Sequence, residues 1–144
     1  MKARRFLVAV AAASLAVGAA AQSLAPREHA RGDISYVSGG IGSDEAQAMR
    51  DAAVDYPLTL ELAAAAGGPR DEYIADARVR IRDSQGSEVL ATRTEGPFLL
   101  VRLPAGTYDV DVEWNGTHKH KTVDVGERRQ YVMLEFPGSV DGRR

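Results

Sequence analysis

Tyr108-Asp109-Val110-Asp111-Val112-Glu113-Trp114-Asn115-Gly116-Thr117-His118-Lys119-His120-Lys121-Thr122-Val123-Asp124-Val125 is the stretch whose reading decides the fold. Tyr108, Val110, Val112 and Trp114 alternate with Asp109, Asp111 and Glu113, the period of a strand with one apolar and one wet face. Asn115-Gly116 follows, and only residues tolerant of positive φ at both central positions can make the type I′ turn that suits the twist of a hairpin. A two-residue turn sets Trp114 opposite Thr117, Glu113 opposite His118, Val112 opposite Lys119, Asp111 opposite His120 and Val110 opposite Lys121. The chain is therefore read as β structure built from antiparallel hairpins.

The same rhythm extends outward. Leu58, Leu60 and Leu62 share one face, and Ala77, Val79 and Ile81 alternate with Arg78, Arg80 and Arg82. Ser84-Gln85-Gly86 turns into a strand over 88–93, and Glu95-Gly96-Pro97 turns into Phe98 to Leu103. After the hairpin, Gly126 to Arg129 turns into Tyr131 to Phe136. Turns every 8 to 12 residues between about seven strands predict a sandwich or barrel, and the β-sandwich is the expected form over 57–137. Gly67 to Asp71 reads as a loop, and 138–144 reads as a disordered tail.

The N-terminal part has a different character. Lys2, Arg4 and Arg5 precede an uncharged apolar run from Phe6 to Val17, and Ala19-Ala20-Ala21 gives an A-x-A end before Gln22. That is the pattern of a secretory signal peptide over 1–21, with an apolar run shorter than the about 20 residues of a spanning helix. The expected location is the periplasm or the medium of a bacterium. Cleavage leaves 123 of the 144 residues, with 15 basic against 20 acidic and a net charge of −5. An acidic domain does not gather phosphates, so nucleic acid is not an expected partner, and nothing predicts membrane embedding. Without cysteine there is no disulfide framework and no lipidated cysteine, so the apolar core carries the stability. Residues 22–42, punctuated by Pro26, Gly32, Gly39, Gly40 and Gly42, read as an extended arm, in which Ile34 and Tyr36 offer a short edge strand. Over 43–56 a short helix is expected, with Ser43 as N-cap, Asp44 and Glu45 in its first turn, and Pro57 after it. Its apolar side is mostly alanine with Met49, which predicts light packing as a cap on a sheet.

Candidate chemistry concentrates at the hairpin. Asp111, Glu113, His118 and His120 fall on one strand face, a donor set that suits zinc or copper. The same four residues also make a solvated face of complementary pairs, each worth a few tenths of a kcal/mol. Arg78, Arg80 and Arg82 form a basic stripe, either a docking surface for an acidic ligand or a wet face answered by Asp109 or Asp111. Gly39-Gly40-Ile41-Gly42-Ser43 before a helix raises a phosphate cradle, but the Gly-Lys-Ser/Thr ending of a P-loop is missing and a flexible junction explains it. No cofactor is expected. His29 reads as polar filler in the arm, and Arg31-Gly32-Asp33 as a chance match to an adhesion tripeptide. No nucleophile elbow, HExxH or helical carboxylate pair is visible, so a non-catalytic protein is expected.

Ala75 to Gly86, Gly96-Pro97-Phe98-Leu99-Leu100 and Leu103-Pro104-Ala105-Gly106-Thr107-Tyr108-Asp109-Val110 resemble carboxypeptidase regulatory-like domains. The resemblance rests on Leu103, Gly106 and Tyr108 leading into a strand and the Asn115-Gly116 hairpin, and it covers roughly 57–136. It implies a seven-stranded antiparallel transthyretin-like sandwich, here with one short N-terminal helix as in small exported proteobacterial proteins of this type. The resemblance carries no peptidase ligands onto this chain. The expected function is an exported binding module with a protein or glycan partner in the cell envelope; the alternative is a periplasmic metal-binding protein using the hairpin cluster.

Overall fold

A computed structural model describes residues 26–65 and 74–138. The signal segment, the loop expected over 67–71 and all but the first residue of the tail expected over 138–144 lie outside them. Nine strands are present among the described residues: β1 (Glu28–Arg31), β2 (Ile34–Gly39), β3 (Leu58–Ala64), β4 (Arg78–Arg82), β5 (Glu88–Arg93), β6 (Phe98–Arg102), β7 (Gly106–Trp114), β8 (Thr117–Val125) and β9 (Gln130–Phe136). One helix, α1 (Ser43–Ala52), continues into a single 3-10 turn over Ala53–Asp55. The larger sheet has the order β1-β2-β6-β3-β9 and the smaller β5-β4-β7-β8. The protein is mainly β, with its two sheets facing each other across one apolar layer.

Alternation builds that layer. Leu58, Leu60 and Leu62 of β3 and Leu99 and Val101 of β6 meet Val79 and Ile81 of β4 and Val110 and Val112 of β7, all buried. Each fully buried aliphatic side chain contributes on the order of 1.5–3 kcal/mol. Tyr108 points inward and donates its hydroxyl to the Pro104 carbonyl at 2.7 Å, which fixes the corner where β7 begins. Burial pushes its phenol above the ordinary value.

β3 to β9 occupy the seven places read from alternation, and three expectations need correction. First, residues 28–39 are not an extended arm. β1 and β2 form an antiparallel hairpin around Gly32 (φ 58°), and β2 pairs with β6 inside the larger sheet. Ile34 and Tyr36 face the opposite sheet while Val37 lies under α1, so both faces are buried and the wet face that makes a strand legible is missing. The described residues thus hold nine strands, where alternation alone gave about seven. Second, the sheets are not wholly antiparallel: β3 and β9 pair in parallel from Leu58–Gln130 to Ala64–Phe136. Hydrogen bonds from Gln130 N to Pro57 O (2.8 Å) and from Ala65 N to Phe136 O (2.8 Å) bracket that pair.

Third, α1 packs more firmly than its alanines imply. Met49, Ala46 and Ala53 bury against Val37, Tyr56, Phe98 and Leu100 in a second core on the outer side of the larger sheet. Ser43 is the first helical residue, and Gly42 (φ 90°) stands at the N-cap without a side-chain cap. Glu45 instead reaches back and accepts the Gly40 N–H at 3.0 Å. The hairpin of β1 and β2 is pinned at its start by Arg102, which donates to Glu28 Oε1 (3.1 Å) and the Asp55 carbonyl (2.9 Å) and lies 4.3 Å over the Tyr56 ring. The Ser35 hydroxyl and the Arg102 guanidinium hold the Glu28 carboxyl below its usual range.

Candidate functional site

The outer face of the smaller sheet carries the sequence-derived site residues. The hairpin has the expected register: Trp114 opposite Thr117, Glu113 opposite His118 and Asp111 opposite His120. Asn115 (φ 48°) and Gly116 (φ 76°) make the turn, both in the left-handed region that a type I′ connection demands. Trp114 meets Phe136 edge-on at 6.0 Å, which ties the hairpin to β9. On the inner side of β8, Lys119 is half-buried and Lys121 exposed, before Val123 and Val125 enter the core. The hairpin tip therefore overhangs the apolar layer.

On the wet side, β4 contributes Arg78, Arg80 and Arg82, β7 contributes Glu113, Asp111 and Asp109, and β8 contributes His118, His120 and Thr122. These are three parallel rows, basic, acidic and mixed. The acids bind sideways as pairs. His120 Nδ1 lies 2.8 Å from Asp111 Oδ1 and its Nε2 3.6 Å from Asp109 Oδ1, Thr122 donates to Asp109 at 2.8 Å, and His118 stands 4.0 Å from Glu113. Asp111 also lies 3.7 Å from Arg82. The four residues considered as metal ligands share the expected face, but among the described residues no group of three or more His, Cys, Asp or Glu side chains is arranged to hold a metal ion. The Asp111 carboxylate is turned toward His120 and Arg82, not toward Glu113 and His118.

The arginines are answered unevenly. Arg82 has Asp111, Arg80 stands 3.8 Å from Glu88, and Arg93 of β5 holds Asp76 at 3.0 Å. Arg78, directly opposite Arg93, has no carboxylate within 4.0 Å among the described residues, nor has Arg31. Between them runs a groove of about 530 Å³ lined by Arg31, Arg78, Arg80, Ala91, Thr92 and Arg93 along the edge of the sheet. A second groove of about 320 Å³ lies on the β7 side of the same arginine row. Arg31 and Arg93 were not legible as members of this site. The five residues between β4 and β5 leave their register open, and Arg31 arrives from the other sheet through β1. The sequence signal available was an arginine at the end of a strand whose neighbour carries three more.

The glycine run proves to be a packing device. Gly40 (φ 102°) lies against Phe98, where a Cβ would run into the ring, and Gly96 lies against the Gly39 backbone. Ser38, buried at the end of β2, donates to the Phe98 carbonyl (3.1 Å) and accepts from Glu95 N (2.8 Å). The Glu45 carboxylate already accepts the Gly40 N–H, one of the donors a phosphate cradle would need. His29, expected as filler, stacks on Tyr36 at 5.4 Å. Arg31-Gly32-Asp33 is the turn of the β1–β2 hairpin.

Among the described residues no helix is long and apolar enough to cross a membrane. No protein-family model matches the chain, and no curated protein matches it in sequence. A solved structure similar to part of it is the Bacillus anthracis TIE protein, at 16% identity and a TM-score of 0.43. That similarity covers 56% of this chain and 16% of the TIE protein.

Proposed function

We propose that this chain is an exported, non-catalytic β-sandwich module of the transthyretin-like, carboxypeptidase regulatory-like kind that binds a protein or glycan partner in the bacterial cell envelope. The observation that carries the reading is the arginine-lined groove beside β5 in a chain with more acidic than basic residues. Charge of the minority sign, gathered on one exposed face, fits recognition better than solubility. Support for the fold type comes from the two facing sheets and from the Tyr108 hydroxyl bound to backbone four residues upstream, a corner-fixing contact known from sandwiches. Support for export comes from the basic start, apolar run and A-x-A end of residues 1–21. The hairpin histidines favour the paired, solvated reading over the metal reading, because Asp111 is turned to His120 while Glu113 stands by His118, so the four side chains do not converge on one point.

Expression of the full chain in a bacterial host, followed by fractionation, tests the proposal. Mature protein beginning at Gln22 is expected in the periplasm or medium. A photo-crosslinking residue at Ala91 is expected to give a discrete adduct with an envelope component, and the same residue at Glu127, in the exposed turn before β9, none. Retention of unprocessed protein in the cytoplasm overturns the export half. Absence of any discrete adduct at Ala91 overturns the binding half.

A further inference from the structure

The arginine groove follows a free strand edge, and the two features together specify a ligand. β5 ends the smaller sheet and pairs only with β4 among the described residues. Thr94, just beyond β5, donates its N–H to the Ala77 carbonyl at 2.9 Å, toward the β4 side. By strand alternation Arg93 and Ala91 turn their own N–H and C=O groups the other way, to the open edge. Ala91 is the small residue between Arg93 and Glu88 on that face, so the backbone there is reachable. The groove alongside it has four guanidinium groups and no carboxylate among its lining residues.

Spacing narrows the ligand class. Arg78 and Arg80 are two residues apart on one strand, about 6.4–6.8 Å, which is also the repeat of same-side side chains in an extended peptide. Arg78 and Arg93 stand directly opposite each other, a like-charge cross-strand pair that costs stability unless an anion lies between them. Asp76 pairs with Arg93, and Glu113 is the cross-strand neighbour of Arg78 on the β7 side, yet among the described residues neither carboxylate comes within 4.0 Å of the Arg78 guanidinium. An extended acidic chain laid along β5 would satisfy both demands at once, its backbone taking the free edge and its alternate carboxylates meeting the arginines.

We propose that β5 is a docking edge for an extended acidic peptide segment of a partner protein, added as a further strand of the smaller sheet with its carboxylates against Arg78, Arg80, Arg93 and Arg31. The inference rests on the binding-module reading and names its ligand. An alternative role for edge arginines is protection against edge-to-edge aggregation, and it makes a different prediction.

The test uses the full processed protein and four fluorescent probes read by anisotropy. These are a peptide with glutamate at every second position among valine and threonine, the same peptide N-methylated on alternate backbone nitrogens, a lysine counterpart, and an alginate oligomer of matched charge. The alternating glutamate peptide is expected to bind, with affinity falling as salt rises. The double variant Arg78→Ala/Arg80→Ala is expected to weaken it about ten-fold, a modest figure because both side chains are exposed. Ala91→Pro, which removes an outward N–H at an edge that tolerates proline, is expected to weaken it while circular dichroism stays unchanged. Equal binding of the N-methylated peptide overturns strand addition. Equal or tighter binding of alginate overturns the peptide assignment in favour of an acidic glycan. No binding by any probe, with the double variant merely more prone to aggregate, overturns the site and leaves edge protection. A crosslinked envelope partner at Ala91 alongside silent acidic probes would sink this ligand class and leave the binding-module reading standing.

Discussion

Met49→Ala tests whether α1 is a structural half of the larger sheet or an ornament on it. Met49 is fully buried beneath the helix, against a floor of Val37, Phe98, Leu100 and Tyr56. Truncating a buried methionine to alanine costs about 2–5 kcal/mol, the transfer of the lost atoms plus the cavity they leave. The neighbours on the helix are Ala46 and Ala53, which cannot swing in to fill the space, so collapse depends on α1 settling toward the sheet. A helix fastened by one face can settle part of the way, which places the expected cost at about 2–3 kcal/mol, toward the lower end of that range. For a domain of this size that corresponds to a fall in Tm on the order of 10 °C. Urea unfolding followed by Trp114 fluorescence measures it, and the midpoint should fall while the slope stays constant. Ile41→Ala is the control: that side chain is half exposed beside the same helix and should change stability by less than about 0.5 kcal/mol. If Met49→Ala matches the control, the second core contributes little and α1 is the ornament.

Three further outcomes are expected. Tyr108→Phe keeps the buried ring and removes the bond to the Pro104 carbonyl, for a loss of about 1 kcal/mol in the same urea assay. The Tyr131 hydroxyl donates to Glu61, and shelter of the hydroxyl together with that carboxylate pushes its phenol up to about 12 from 10.0. Because the folded form holds the proton more tightly, this contribution is complete below pH 10 and is lost as pH rises toward 12. The stability difference between parent and Tyr131→Phe should therefore be flat to pH 10 and shrink above it; a difference that grows there would reverse the sign. Zinc at micromolar concentration should leave Trp114 fluorescence unchanged, since Asp111 and Glu113 serve separate histidines. A saturable response that His118→Ala/His120→Ala abolishes would restore the metal reading.

The strands with one wet face were legible because alternation announces them. Val79, Ile81, Val110 and Val112 sit between charged residues and fall inward as read. The hairpin register was legible to the residue, since Asn115-Gly116 permits a single turn geometry. β2 was not, because Val37 on its outer side is as buried as Tyr36 and Ser38 on its inner side, and the helix that covers Val37 comes later in the chain. The parallel seat of β9 beside β3 was hidden for a different reason: Tyr131, Met133 and Glu135 alternate with Val132, Leu134 and Phe136 whichever neighbour the strand takes. Half of the candidate site shares this fate. Arg78 and Arg80 announced a basic stripe, but the groove exists only because Arg93 crosses from β5 and Arg31 from the other sheet.

The pairing of β3 with β9 also sets the order of assembly. Leu58 and Gln130, the first partners of that pair, are separated by nearly the whole of the two-sheet body, so the seat opened early by β3 stays vacant until β9, the last of the described strands, arrives. A chain cut before Gln130 would leave the β3 backbone unpaired along one side and Val132, Leu134 and Phe136 missing from the interior. Such long-range closure is slow to nucleate, in the millisecond-to-second range typical of two-sheet proteins. The molecule is a clasp that fastens at its far end, and truncations there should behave as unfolded polypeptide rather than as a weakened native state.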